Sequence, residues 1–230
     1  MQMPIFEKYI DELLEKSTLD VPAWNIEKAK AGQKAGWNYI DGCMILALLE
    51  IYRATGEKKY YEFADAFIDH RVMEDGTIAG YRVEEYNIDN VNAGKTLFAL
   101  YEIGGKEKYR KAIDLIYSQI QGQPRTAEGN FWHKKIYPNQ VWLDGMYMGQ
   151  PFYMEYETKF NKRENYADIF RQFENVVRNM RDEETGLYYH GYDASREVFW
   201  CDKETGLSKN FWLRALGWYS MALLDTLHKC

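Results

Sequence analysis

The chain has 230 residues, of which 46% are hydrophobic and 28% charged, and a formal net charge of −6. That is the composition of an ordinary soluble globular protein, and the length suits one domain over 1–230. No Lys/Arg run stands out, which argues against a nucleic-acid partner, and no apolar run approaches the ~20 residues that span a bilayer. Aromatic residues reach 16%, with 19 Tyr and 7 Trp; sugar-binding clefts are one home for so many rings, and a large helical core is another.

In chain order the pattern is helical almost throughout. Ile5 to Lys16 reads as an amphipathic acidic helix rather than a basic-then-apolar export signal. A loop with Pro22 and Trp24 leads to a short helix over Ile26 to Gln33. Tyr39 to Thr55 is a strong helix stopped by Gly56, and Lys58 to His70 is its partner. Met73 to Tyr81 contains the turn Asp75-Gly76 and suits a short hairpin. Asp89 to Ile103 and Glu107 to Gln121 form the next helical pair, split by Gly104-Gly105. Gly122 to Gln140 is a long loop carrying Trp132 and His133. Gly145 to Phe160 and Glu164 to Arg181 make another pair. Asp182 to Ser208 is irregular, and Leu207 to His228 closes the chain as an apolar helix.

A repeat runs through these hairpins. Asp89-x4-Gly94-x6-Tyr101 matches Asp144-x4-Gly149-x6-Tyr156, and Tyr52, Tyr101 and Tyr156 are spaced 49 and 55 residues apart. In the earlier hairpin Ile40 takes the carboxylate position and Asp41 comes one residue late. The recurring tyrosines read as core. Stacked helical pairs give a solenoid or, if closed, an α/α toroid, with equivalent positions on one rim.

Asp89 and Asp144 would then share a cleft, where like charge and burial favour the neutral form of one carboxyl. Each also stands at a helix start, where Asp is a favoured N-cap. The surroundings of Asp144, with Trp142 and Tyr147 beside it, favour an acid in a carbohydrate pocket. The three cysteines, Cys43, Cys201 and Cys230, and the four scattered histidines have no metal-ligand spacing. No P-loop spacing surrounds Lys95. A cytoplasmic protein with neither metal nor cofactor is expected.

The run Asn139-Gln140-Val141-Trp142-Leu143-Asp144-Gly145-Met146-Tyr147-Met148 resembles the central motif of the unsaturated rhamnogalacturonyl hydrolases, glycoside hydrolase family 105, which are related to the unsaturated glucuronyl hydrolases of family 88. Trp37-Asn38-Tyr39, Asp89 through Lys95, Trp132-His133, Tyr189-His190-Gly191 and Phe211-Trp212-Leu213-Arg214-Ala215-Leu216-Gly217-Trp218 agree with the same family in the same order. The resemblance implies an all-α fold of helical hairpins, an (α/α)6 toroid of twelve helices, incomplete here at the C-terminus. About two-thirds of such a ring is expected from the helix lengths. An open ring would expose apolar flanks; self-association through them, completion by another chain, and origin as a fragment all fit.

The implied substrate is an oligosaccharide left by pectin lyases, with a 4,5-unsaturated uronic acid at its non-reducing end. The implied chemistry is hydration of the vinyl ether, with Asp144 giving a proton to C4 and Asp89 as second carboxylate. Arg214 would fork the uronate carboxylate, against the plainer reading of a salt bridge that orders a helix. Trp132, His133 and His190 join the substrate set from loops. Trp142, Trp212 and Trp218 are stacking residues, Trp218 being nearest to plain core; Tyr39 bonds the sugar or simply packs. Two rival readings stand beside this one: an inverting glycosidase acting on saturated sugars with Asp89 and Asp144 as acid and base, and an inactive sugar-binding remnant.

Overall fold

The computed structural model describes residues 4–230. The helices are α1 (Pro4–Glu15), α2 (Ile26–Lys30), α3 (Tyr39–Thr55), α4 (Lys58–Asp69), α5 (Lys95–Gly104), α6 (Glu107–Gly122), α7 (Leu143–Lys159), α8 (Tyr166–Met180) and α9 (Leu213–His228). Two short strands, β1 (Gln140–Trp142) and β2 (Gly191–Asp193), pair antiparallel, with Trp142 opposite Gly191. By contacts the chain forms two compact units: the chain up to Tyr81 with Ala93–Ile113, and Arg82–Asn92 with Asp114–Cys230.

In the first unit, α3 packs on α4 and α5. Ile45, Leu48 and Leu49 of α3 and Tyr60, Ala64, Phe67 and Ile68 of α4 are buried at helical spacing. Asn38 caps α3: its side chain accepts the Asp41 N–H at 3.0 Å and donates to the Asp41 carboxylate at 2.6 Å. A cap of this kind contributes about 1 kcal/mol. Gly56 (φ +76°) and Gly105 (φ +65°) end α3 and α5 in the left-handed region, each N–H returning to the carbonyl of Tyr52 or Tyr101. The turn at Asp75-Gly76 closes on a Val72–Ile78 bridge, as expected.

In the second unit, α7 packs on α8 and α9. Its core contains the buried residues Leu143, Met148 and Phe152 of α7, the row Ile169, Phe173, Val176 and Met180 of α8, and Ala215, Tyr219 and Ala222 of α9. Along α9, Leu213, Leu224 and Leu227 are exposed. No helix among the described residues is long and apolar enough to cross a membrane.

Three expectations need correction. The recurring tyrosines are half-buried rather than core. Their carbonyls accept the N–H that closes each helix, Phe160 serving at Tyr156, so their rings lie at the turn where water reaches. There Tyr101 Oη donates to Glu107 at 3.3 Å and Tyr156 Oη to Asp114 at 2.8 Å. The fully buried tyrosines are Tyr60 and Tyr109, in the second helices. Second, Asp89 does not open an α-helix: a 3-10 segment, Ile88–Gly94, precedes α5. Third, Leu207 to Trp212 is extended, because Leu207, Ser208 and Phe211 bridge to Tyr192, Cys201 and Tyr189, and α9 starts at Leu213. Three-residue strands are too short to show alternation in a sequence, so β1 and β2 were not foreseen.

Candidate active site

Strand β1 delivers Trp142 in an extended conformation (φ −118°, ψ 144°), and the chain then turns into α7. Asp144 is therefore the second residue of the helix rather than its cap. The Leu143 N–H donates to the His190 carbonyl at 3.1 Å. That bond sets the His190 ring beside Asp144, with Nε2 2.9 Å from Oδ2. From the start of α9, Arg214 brings Nη2 to 3.6 Å from Asp144 Oδ1. Its guanidinium lies 3.9 Å over the Trp212 ring, and His190 meets the same ring edge-on at 4.9 Å. These side-chain partners overturn the helix-cap alternative for Asp144.

Asp89 is held by a parallel device. The residue before it, Ile88, donates its N–H to the His133 carbonyl, also at 3.1 Å. His133 Nε2 lies 3.2 Å from Asp89 Oδ1, and Lys134 Nζ 2.8 Å from Oδ2. Burial pushes the Asp89 carboxyl up, but the hydrogen bonds and charges of His133 and Lys134 outweigh it and hold the group at about 2. Asp89 is thus held as an ionised carboxylate at neutral pH, and its carboxylate too is bound by side chains, not spent as a cap.

Aromatic rings join the two carboxylates. The His133 ring stacks on Trp142 at 4.4 Å and 14°. Tyr137 also lies nearly parallel to Trp142, at 5.4 Å, and His190 is tilted against it at 5.6 Å. Trp142 Nε1 donates to Gln140 Oε1 at 3.1 Å, which fixes the indole. Gly145 makes the stack possible: a Cβ there would stand 2.9 Å from His133 Nδ1. Trp132 also borders a small enclosed space. Its Nε1, His133 Nδ1 and Gln150 Oε1 are buried polar atoms without a protein partner, and all three residues line one small cavity of about 10 Å³, roughly the space of one water molecule.

One turn beyond Asp144 and Arg214, Tyr147 and Trp218 stack at 4.7 Å. Trp218 is half-buried there and braces α7 against α9. Tyr39 opens α3 in the first unit, while the network around Asp144 is built within the second. Among the described residues no group of three or more His, Cys, Asp or Glu is placed to hold a metal ion.

A cavity of about 710 Å³ adjoins this network, lined in part by Trp142, His190 and Trp212. That lies within the ~300–1,000 Å³ of small-molecule sites. Its further wall includes Phe199, Trp200 and Lys209, which the sequence reading did not single out, and it also missed Lys134. The signal for Lys134 was adjacency to His133. Phe199-Trp200 lies in a stretch with no periodicity, where only two adjacent large rings mark it.

Comparisons with known proteins bear on the fold and the family. The profile of Glycosyl Hydrolase Family 88 matches residues 9–229. A family 105 glycoside hydrolase of C. acetobutylicum ATCC 824 is 48% identical over 84% of this chain and 54% of its own, with a TM-score of 0.82. A possible family 105 member from Salmonella enterica shares the fold at 21% identity and a TM-score of 0.69, over 84% of this chain and 49% of its own. Among curated proteins, Protein Atu3128 of Agrobacterium fabrum is 42% identical over 80 residues, which are 35% of this chain and 34% of that one. The chain thus spans about half the length of the solved structures it matches. With these neighbours, its all-α hairpins are of the α/α-toroid type.

Proposed function

Because the chain belongs to Glycosyl Hydrolase Family 88, we propose that it removes 4,5-unsaturated uronic acid from pectin-derived oligosaccharides by hydrating the ring double bond. The observation that carries this reading is the contrast between its two carboxylates. Asp89 is held ionised by His133 and Lys134, so the proton donor is Asp144, which shares a hydrogen bond with His190 beside the cavity.

The substrate ring carries C4=C5–O, a vinyl ether. Asp144 delivers its proton to C4, and the ring oxygen stabilises the cation that forms at C5. Water adds at C5 and returns its proton to the Asp144–His190 pair. The hemiketal opens as the C5–O bond breaks to a ketone, and the freed hemiacetal at C1 expels the remaining sugar as an alcohol. One group thus serves as acid and then base. Arg214 stands 3.6 Å from Asp144, too far for a hydrogen bond, so its planar N–H fork is available to the uronate carboxylate. Trp142 and Trp212 supply ring faces for the sugar. A chain with an odd number of cysteines, three, suits a reducing cytoplasm, where short imported oligosaccharides would be met.

The test is loss of the enol-ether ultraviolet band when the protein is mixed with pectin-lyase products. Steady loss with release of the saturated remainder is expected. A folded protein that leaves the band untouched while cleaving saturated analogues would overturn the reading in favour of an ordinary glycosidase.

A further inference from the structure

Only part of the 710 Å³ cavity is accounted for by the Asp144 network. Trp142, His190 and Trp212 belong to that network; Phe199, Trp200 and Lys209 do not. The segment that carries the outer wall is tied down. The Asp193 carboxylate accepts the N–H groups of Ser195, Glu197 and Val198 at 3.0, 2.9 and 2.9 Å. The Lys203 ammonium donates to the carbonyls of Arg196, Glu197 and Val198 at 3.1, 2.9 and 2.8 Å. Trp200 is seated against Gly191, 3.2 Å from where a Cβ would stand.

A segment locked this firmly nonetheless presents Phe199 at 91% exposure on the cavity wall. A large ring held in water on a pre-organised segment is what a stacking platform requires, since little order remains to be imposed on binding. Charge points to the occupant. Lys209 is the one Lys or Arg of the lining, and no Asp or Glu lines it. The Lys203 ammonium is occupied by carbonyls and Arg214 is assigned to the reacting uronate, so the charge the lining itself offers is that of Lys209.

We propose that Phe199 and Lys209 form an outer subsite for a second, negatively charged sugar, with the apolar face of its ring on Phe199 and its carboxylate on Lys209. The inference rests on the proposed function for the direction of the chain: the unsaturated ring lies at Asp144, and the outer subsite takes an acidic ring of the leaving group. The protein would then discriminate between leaving groups by their charge, favouring oligosaccharides with a further uronate over those whose leaving group is neutral.

Two measurements on the whole chain test this. In the first, a saturated uronic-acid trisaccharide, which cannot react, is titrated calorimetrically against the parent, Phe199→Ala, Lys209→Gln and Lys209→Arg. Phe199→Ala should weaken binding about five- to tenfold. Lys209→Gln should weaken it about two- to fivefold, with the difference fading at high salt, while Lys209→Arg holds the parent's affinity. In the second, KM is compared on an unsaturated disaccharide with a neutral leaving sugar and on an unsaturated oligosaccharide with an acidic one. Phe199→Ala and Lys209→Gln should raise KM on the acidic substrate and leave the disaccharide unchanged. The subsite is overturned if the parent does not bind the trisaccharide, if Phe199→Ala and Lys209→Gln bind it as the parent does, or if those two lose equally on both substrates. Weakened trisaccharide binding without consumption of any unsaturated substrate would keep the subsite and remove the proposed reaction. Turnover with unchanged KM would do the reverse.

Discussion

Asp89 and Asp144 are held by the same device, yet the two sites differ in what stands next to it. In each, the N–H of the preceding residue donates to the carbonyl of a histidine at 3.1 Å, and that histidine's Nε2 meets the carboxylate. At Asp89 the residue after the histidine is Lys134, which completes the ion pair from within the same segment. At Asp144 it is Gly191, which lines the cavity, and the cation comes from α9 at a looser 3.6 Å. Partner by partner the Asp89 copy is the more covered: His133 is at 2% exposure against 22% for His190, and Lys134 at 23% against 52% for Arg214. One copy of the device has become a closed, permanently charged cluster. The other buries its carboxylate as deeply, at 10% side-chain exposure against 14% for Asp89, but its partner His190 lines the cavity and Arg214 is half-exposed, so a substrate can displace or share them.

Breaking the open copy should have the largest effect. Asp144→Asn keeps the shape but cannot give up a proton, and kcat on the unsaturated disaccharide should fall by ~10²–10⁴-fold or more; residual turnover at the parent's rate would assign the proton donor elsewhere. Arg214→Lys sharpens the claim that the looser cation serves the substrate. Removing the contact altogether should weaken uronate binding by about 1.5–3 kcal/mol, and Arg214→Lys, which keeps the charge and loses the fork, should still be impaired, read as KM or as Kd for a saturated uronate.

The closed copy should answer in stability and in pH. The Asp89 carboxyl is depressed from 3.8 to about 2, so its contribution is fully present above the unfolded value and is lost as pH falls through about 2. The size is about 2 kcal/mol. Denaturant melts at pH 6 and pH 2.5 should show the parent losing much of this increment, and Asp89→Asn, which lacks it already, losing less. Equal pH responses would mean that His133 and Lys134 do not hold the charge. The smallest effect is expected at the joint between the copies. Tyr137→Ala removes one flank of Trp142 and should lower stability by about 1 kcal/mol, with little change in kcat.

How much of this could be read from the chain alone follows its range of interaction. Local spacing was sufficient for α3, whose bounds Tyr39 and Gly56 are marked by a cap and a left-handed glycine, and for the register of Asp89 with Asp144. The same spacing misled at Tyr52, Tyr101 and Tyr156, because periodicity reports a helix face and not whether that face still has a neighbour one turn from the helix end. It also left the helix-cap alternative open at both aspartates.

The sequence by itself determined the helical hairpins, their repeat, and which side chains are candidates for the chemistry: these depend on contacts within a few residues and on residue type. Tertiary structure alone decided what those side chains do. Asp144 meets His190 across 46 residues, and His133 and Lys134 close on Asp89 through a bridge between loops. Phe199 reaches the cavity on a segment tied by Asp193 and Lys203. Such partners are selected by the folded backbone, which brings distant loops within hydrogen-bond reach, and no local pattern records the distance at which two charged groups will finally stand.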